Sequence, residues 1–385
     1  MVKVLVVDDS VVVRRTVANV LDGADDVEVV GTAADGRMGL RKIDECKPDV
    51  VTLDVEMPGM NGIETLREIR ANHPQLPVIM YSTLTERGAE ATFEALALGA
   101  ADYATKPSGA TTREAAADQV RANLLPLVRL WGRRTLSLRP AVTGARTPAA
   151  GRVERTATIT SVPRAFAAGD NSPLHGPVTL NAAPPGPVDL VVIGVSTGGP
   201  DALARLLPML PADLAVPVAI VQHMPPVFTA MLAKRLDTAS ALSVREAGDG
   251  EALRKGSVYL APGGMHLEIE ATRFGFKTVL TENPPENSCR PAVDVLFRTA
   301  ASVTAGRLLA VVLTGMGQDG MLGARLVRSA GGSILAQDEA TSVVWGMPGF
   351  VARDGTARAV LPLDQIAPEI VRLTQVAGVR QAVEA

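Results

Sequence analysis

Apolar runs at Val2–Val7, Val27–Val30, Val50–Leu53, Val78–Tyr81 and Ala101–Ala104, each broken by at most one polar residue, alternate with stretches such as Val11–Asp22 and Arg87–Leu98, where apolar residues recur every three or four positions. Short runs of this kind suit strands buried on both faces, and the wider spacing suits helices that cover them. The alternation predicts a parallel sheet with crossover helices over residues 1–125. A further helix is expected from about Thr112 to Arg133, with Val120, Leu124, Val128 and Trp131 at helical spacing and Pro126 kinking it.

From about Arg139 to Pro187 the periodicity vanishes, and 8 of the chain's 27 prolines fall there among Ala, Thr, Arg and Gly. Such a stretch reads as a flexible linker, so residues 126–187 are assigned to the helix end and linker. Apolar runs return at Asp189–Val195, Val216–Gln222, Ser257–Ala261, Leu308–Leu313 and Ser333–Ala336, most of them separated by helical stretches. A second, doubly wound and mostly parallel α/β domain is therefore expected over residues 188–375, and no repeat relates the two halves.

Composition narrows the function. A chain of 385 residues is long enough for two domains with separate cores. No apolar run approaches the roughly 20 residues that cross a bilayer, so a cytoplasmic protein without membrane insertion is expected. Cys46 and Cys289 stand in unrelated contexts and cannot build a disulfide framework. A net charge of −3 with 3% aromatic residues supplies neither a basic footprint nor a stacking platform for nucleic acid.

Candidate chemistry gathers at strand ends in both halves. Asp8 and Asp9 follow the first apolar run, Asp54 the third and Ser82 the fourth, and Lys106 precedes Pro107 after the fifth. In doubly wound sheets ligands collect at the carboxyl ends of strands. Carboxylates forced together there repel one another, and a hard divalent cation such as Mg²⁺ relieves that repulsion while neutralising an incoming phosphoryl group. Together "VLVVDDS", "TLDVEMPGMNGIE", "VIMYS" and "YATKP" resemble the receiver domain of two-component response regulators, a flavodoxin-like fold with a five-stranded parallel sheet. The resemblance implies that Asp54 accepts phosphate and that Asp9, Asp54 and the Glu56 backbone carbonyl bind Mg²⁺, with Asp8 acting nearby through water. It implies Ser82 and Lys106 as switch residues.

In the second half, "GVSTG" at residues 194–198 fits the G-x-S-x-G elbow between a strand and a helix. A glycine-rich loop in that setting also cradles phosphate, so the motif by itself leaves Ser196 as nucleophile and phosphate binding both open. A nucleophile needs a base. His73 lies in the first domain and His175 in the linker, which leaves His223 and His266. His223 ends the run "VPVAIVQ" and is favoured, whereas His266 sits in "APGGMH" like a turn within antiparallel strands. Among orienting acids Asp319, in "VVLTGMGQDG", follows a more clearly buried run than Asp249 or Asp338.

Taken in order, "IGVSTGGP", "QHMPP", "APGGMH", "SCRPAVDVLF", "LTGMGQDG" and "VVWGMPG" resemble the catalytic domain of the chemotaxis protein-glutamate methylesterases, the CheB family. The resemblance implies a hydrolase that demethylates glutamate γ-methyl esters on chemoreceptors, releasing methanol, and also deamidates receptor glutamines. It assigns Ser196 as nucleophile, His223 as general base and Asp319 as its partner. The backbone N–H groups of Thr197 and Met316 are candidate oxyanion donors. Ester hydrolysis needs no cofactor, and the implied phosphodonor is the histidine kinase CheA. A phosphate- or nucleotide-binding output domain, a non-catalytic protein-binding output domain and a DNA-binding output are the alternatives.

Overall fold

The computed structural model describes residues 1–138 and 188–381, so the expected Pro-rich linker lies outside the described residues. The first half runs β1 (Val2–Val7), α1 (Val11–Asp22), β2 (Val27–Ala33), α2 (Gly36–Cys46), β3 (Val50–Asp54), α3 (Gly62–Asn72), β4 (Val78–Ser82), α4 (Glu86–Ala97), β5 (Asp102–Thr105), α5 (Arg113–Asn123) and α6 (Leu125–Leu138). Its five strands are parallel in the order β2-β1-β3-β4-β5. The order reverses between β1 and β3, whose carboxyl ends carry Asp8 and Asp54. That crevice is where such a sheet binds its ligand.

The single helix expected over residues 112–133 is instead two, α5 and α6, meeting at Leu124. Thr112 caps α5 by accepting from the N–H of Ala115. Pro126 falls in the first turn of α6, where its missing N–H costs no helical bond. The proline therefore starts a new helix rather than kinking an old one.

The second half continues with β6 (Leu190–Val195), α7 (Gly199–Leu206), β7 (Val218–Gln222), α8 (Phe228–Ala239), β8 (Ser243–Glu246), β9 (Ser257–Leu260), β10 (His266–Thr272), β11 (Gly275–Thr281), α9 (Val293–Val303), β12 (Leu308–Val312), α10 (Met321–Ser329), β13 (Ser333–Gln337), α11 (Met347–Arg353), β14 (Ala359–Leu361) and α12 (Leu363–Gln381). Seven strands form one parallel sheet in the order β14-β13-β12-β6-β7-β9-β8. Every residue of β6, β7 and β12 is buried, as their uninterrupted apolar sequences require. β10 and β11 pair separately as an antiparallel hairpin, with His266 opening it as its sequence context suggested.

The two halves touch through α4 and α8. The ring of Phe228 stacks on Tyr103 at 5.1 Å between centroids and lies 6.2 Å from Phe93. Arg235 Nη1 donates to the Phe93 carbonyl at 2.8 Å, and Arg134 Nη1 donates to the Val343 carbonyl at 3.2 Å. Beside these contacts a cavity of about 300 Å³ is lined by Tyr103, Trp131, Gly198, Pro200, Arg235 and Val343. Residues next to the serine loop thus share a pocket with the first half.

Candidate active site

The order in which strands are added reverses in the larger sheet between β12 and β6, because β7 extends to one side of β6 and β12 begins the other. Ser196 follows β6, His223 follows β7, and Asp319 lies in the loop after β12. All three therefore stand on one rim, at the switch point where a ligand crevice is expected.

Backbone bonds fix the serine loop. Ser196 N–H donates to the Thr314 carbonyl at 3.0 Å, and the Ser196 carbonyl accepts from Gly199 N–H at 2.8 Å and from Gln222 Nε2 at 3.0 Å. Gln222 Nε2 also reaches the His223 carbonyl at 3.2 Å, tying the two loops together. Gly198 has φ +75°, and a Cβ on Gly199 would come within 1.9 Å of Gln222 Oε1. Only glycine allows this turn and this approach. Since the Gly199 N–H is already engaged by Ser196, the loop does not present it to a phosphate.

His223 is held by its own N–H, which donates to the Val195 carbonyl at 3.2 Å. Its Nε2 lies 2.8 Å from Asp319 Oδ2. The Asp319 carboxylate is 2% exposed and accepts from the N–H groups of Val293, Asp294 and Gly320 and from Asn287 Nδ2. Such donors stabilise an ionised carboxylate away from water. Burial works against ionised Asp319, but His223 and the Val293 and Asp294 amides hold its carboxyl below the ordinary value. Burial also works against a charged His223, yet Asp319 and the Cys289 sulfur outweigh it and push the imidazole up to about 10.

Ser196 is less closely joined to this pair. Among the described residues its Oγ makes no hydrogen bond, and His223 Nδ1 faces Cys289 Sγ at 3.6 Å. The same loops leave the N–H groups of Thr197 and Met316 without an acceptor among the described residues. The rival residues are engaged elsewhere. His266 Nε2 meets the Pro284 carbonyl and its Nδ1 accepts from Ala292 N–H, while Asp249 accepts from Leu280 N–H on β11 and Asp338 from the nearby Thr341 N–H. The sequence carries no mark that Gln222, Asn287 and Cys289 join this site. The quoted segment "SCRPAVDVLF" contains Cys289 and ends its loop at the triad, but its spacing carries no sign of which strand end it meets.

In the smaller sheet, Asp8, Asp9 and Asp54 offer oxygens that all lie within 4.8 Å of one another. This hard, anionic set fits Mg²⁺. Lys106 Nζ ion-pairs with Asp54 Oδ2 at 2.7 Å and Asp8 Oδ2 at 2.9 Å. Burial, reinforced by the neighbouring Asp8, pushes the Asp54 carboxyl up to about 6 despite the lysine. Ser82 Oγ is buried and bonded to Thr92 Oγ1 at 2.8 Å, and Ser82, Glu56, Asp9, Asp54 and Lys106 line a cavity of about 240 Å³.

A family model described as CheB methylesterase matches residues 191–370, and one described as response regulator receiver domain matches residues 4–117. The protein-glutamate methylesterase/protein-glutamine glutaminase of a Nocardioides species is 51% identical over 373 residues, covering 96% of this chain and 95% of that protein. The protein of the same description from Trichodesmium erythraeum is 45% identical over 372 residues, 96% of this chain and 98% of its own. The crystal structure of the Thermotoga maritima CheB methylesterase catalytic domain is 45% identical and covers 48% of this chain and 98% of that one, with a TM-score of 0.48.

Proposed function

Because the chain belongs to the CheB methylesterase family and carries a response regulator receiver domain, we propose that Ser196, His223 and Asp319 are the residues with which it hydrolyses its substrates. It is a protein-glutamate methylesterase and protein-glutamine glutaminase. The observation that carries the assignment is the 2.8 Å contact of His223 with Asp319 on the rim that also bears Ser196.

In the proposed reaction Ser196 Oγ attacks the γ-carbonyl of a receptor glutamate methyl ester. With Nε2 donating to Asp319, the imidazole accepts the serine proton at Nδ1, so the hydroxyl must take the place now facing Cys289. Apo sites commonly hold such bonds open until substrate tightens them. The proton then passes to the departing methanol, leaving a glutamyl-enzyme that water, deprotonated by His223, converts to glutamate. Asp319 holds the tautomer and stabilises the imidazolium, and the free N–H groups of Thr197 and Met316 stabilise the oxyanion. With glutamine as substrate the leaving group is ammonia.

For control, Asp54 accepts a phosphoryl group from a histidine kinase, CheA. Asp9, Asp54 and the Glu56 carbonyl would hold Mg²⁺, with Asp8 acting nearby through water, and the ion would supply positive charge to offset that of the phosphoryl group. Lys106 pairs with the acyl phosphate formed, and Ser82 exchanges its Thr92 bond for a phosphoryl oxygen. The receiver, placed over residues 1–125, is joined by a linker over 126–187 to the catalytic domain over 188–375. Packing of Phe93 and Tyr103 on Phe228 supports inhibition by the unphosphorylated receiver. Chemoreceptors are the substrates, met in the cytoplasm; no described helix is long and apolar enough to cross a membrane.

The test is methanol release from methylated receptor. Ser196→Ala is expected to lose nearly all activity, and retention of a near-normal rate overturns the assignment.

A further inference from the structure

The triad carboxylate does not stand alone. Asp294, 2% exposed at the start of α9, lies beside it, and Asn287 Nδ2 is 3.0 Å from Asp294 Oδ2 and 3.0 Å from Asp319 Oδ1. A side-chain amide nitrogen carries two hydrogens, so it can donate one to each carboxylate. The remaining Asp294 oxygen accepts from Gly323 N–H at 2.7 Å. We infer that Asn287 is a positioning residue for the hydrolysis, its amide bridging Asp319 and Asp294 so that both stay ionised with Asp319 Oδ2 turned to His223.

Two buried carboxylates this close repel each other, and the ordinary remedy is a shared proton. A proton shared with Asp319 would halve the charge that steadies His223. The Asn287 amide supplies the hydrogens without supplying a titratable group. Burial and the Asp319 charge push the Asp294 carboxyl up to about 6, so Asp294 is the member of the pair that takes up a proton first as pH falls.

The loop is built to aim this amide. Asn287 and Ser288 have φ of +52° and +62°, a region asparagine tolerates better than most residues. Glu286 and Cys289 exchange backbone bonds of 3.1 and 2.8 Å across them, and Arg298 on α9 grips both Glu286 oxygens at 3.0 and 2.6 Å. The charged or titratable groups around Asp319 are His223, Asp294, Cys289 against His223, Glu286 neutralised by Arg298, and His266 with both ring nitrogens bonded. Asn287 itself is exposed on its outer side, so replacing it leaves the core intact.

The inference rests on the Ser196–His223–Asp319 assignment and deepens it. The experiment compares the full-length enzyme with Asn287→Gly, which keeps the positive φ and removes the amide, and with Asn287→Ser, which keeps one donor. Methanol release is followed from about pH 6 to about pH 9. For Asn287→Gly, kcat is expected to fall about tenfold near pH 6 and about threefold or less near pH 9, with KM little changed, since a hydrogen bond to a charged group is worth about one decade or more. Asn287→Ser should lie between, and adding Asp294→Asn should flatten the pH dependence of Asn287→Gly by removing the second charge. In an Asp319→Asn background Asn287→Gly should cost nothing more. Wild-type kcat in Asn287→Gly, an equal loss at every pH, or an undiminished further loss in the Asp319→Asn background each overturns the bridge. A near-normal rate for Asp319→Asn alone overturns the triad assignment instead, so the two failures are distinguishable.

Discussion

His223 Nε2 and Asp319 Oδ2 lie 2.8 Å apart although 96 residues separate them in the chain. Their contact is made by two strands that flank β6 on either side, β7 and β12, so it depends on the sheet being complete. Its strength shows in opposite displacements, the imidazole pushed up and the carboxyl held down.

That contact makes stability depend on pH. The imidazole titrates higher in the folded chain, at about 10, than its ordinary 6.5, so its contribution is full below about pH 6.5 and is lost as pH rises toward 10. Thermal unfolding of the catalytic half is expected at progressively lower temperature from neutral pH to about pH 10, with roughly 1–3 kcal/mol at stake. His223→Gln should flatten that slope. A wild-type slope retained in the variant removes this pair as its cause. If His223 is the base, as proposed, it must be neutral to act, so kcat/KM should rise with pH across the same interval.

The interface between the halves sets a second expectation. Phe93 is 5% exposed and packs toward Phe228, whose ring stacks on Tyr103. Phe93→Ala should weaken docking by about 1–2 kcal/mol and raise the basal rate roughly five- to thirtyfold, with a matching fall in the further gain from a phosphodonor. A basal rate unchanged in the variant, measured without phosphodonor, would show that this packing does not restrain the site.

At the acidic crevice, Asp54→Asn removes the proposed phosphoacceptor and one proposed Mg²⁺ ligand together. Activation by acetyl phosphate should disappear, and the rise in melting temperature that saturating Mg²⁺ gives the wild type should shrink by several degrees. Residual activation in Asp54→Asn would move the phosphorylation site to another carboxylate.

Much of this arrangement is legible in the sequence because buried parallel strands announce themselves as predominantly apolar runs. β1, β3, β4, β6, β7 and β12 are of that kind, and Ser196, His223, Asp54 and the acids after β1 are marked by standing where the runs stop. β8 and β14 escape notice because they are edge strands of four and three residues, only partly buried and without a clean alternation. The break at Leu124 escapes because the apolar spacing of α5 continues into α6 while the backbone does not. Asn287 and Cys289 are illegible for another reason. They belong to a loop with positive φ at Asn287 and Ser288 that is carried to His223 and Asp319 by the packing of α9 against α10, β10 and β6. Nor does sequence reveal that the Ser82 hydroxyl is already bonded to Thr92.

The central place of β6 also orders events during synthesis. Leu190–Val195 leaves the ribosome long before Leu308–Val312, the neighbour it needs on its open side. Through more than a hundred intervening residues the serine loop has no Thr314 to anchor it and no Asp319 to complete it. A nascent chain therefore lacks the proposed triad until about two-thirds of the second half has been translated, and a stop codon between positions 188 and 319 leaves the first half whole while removing Asp319.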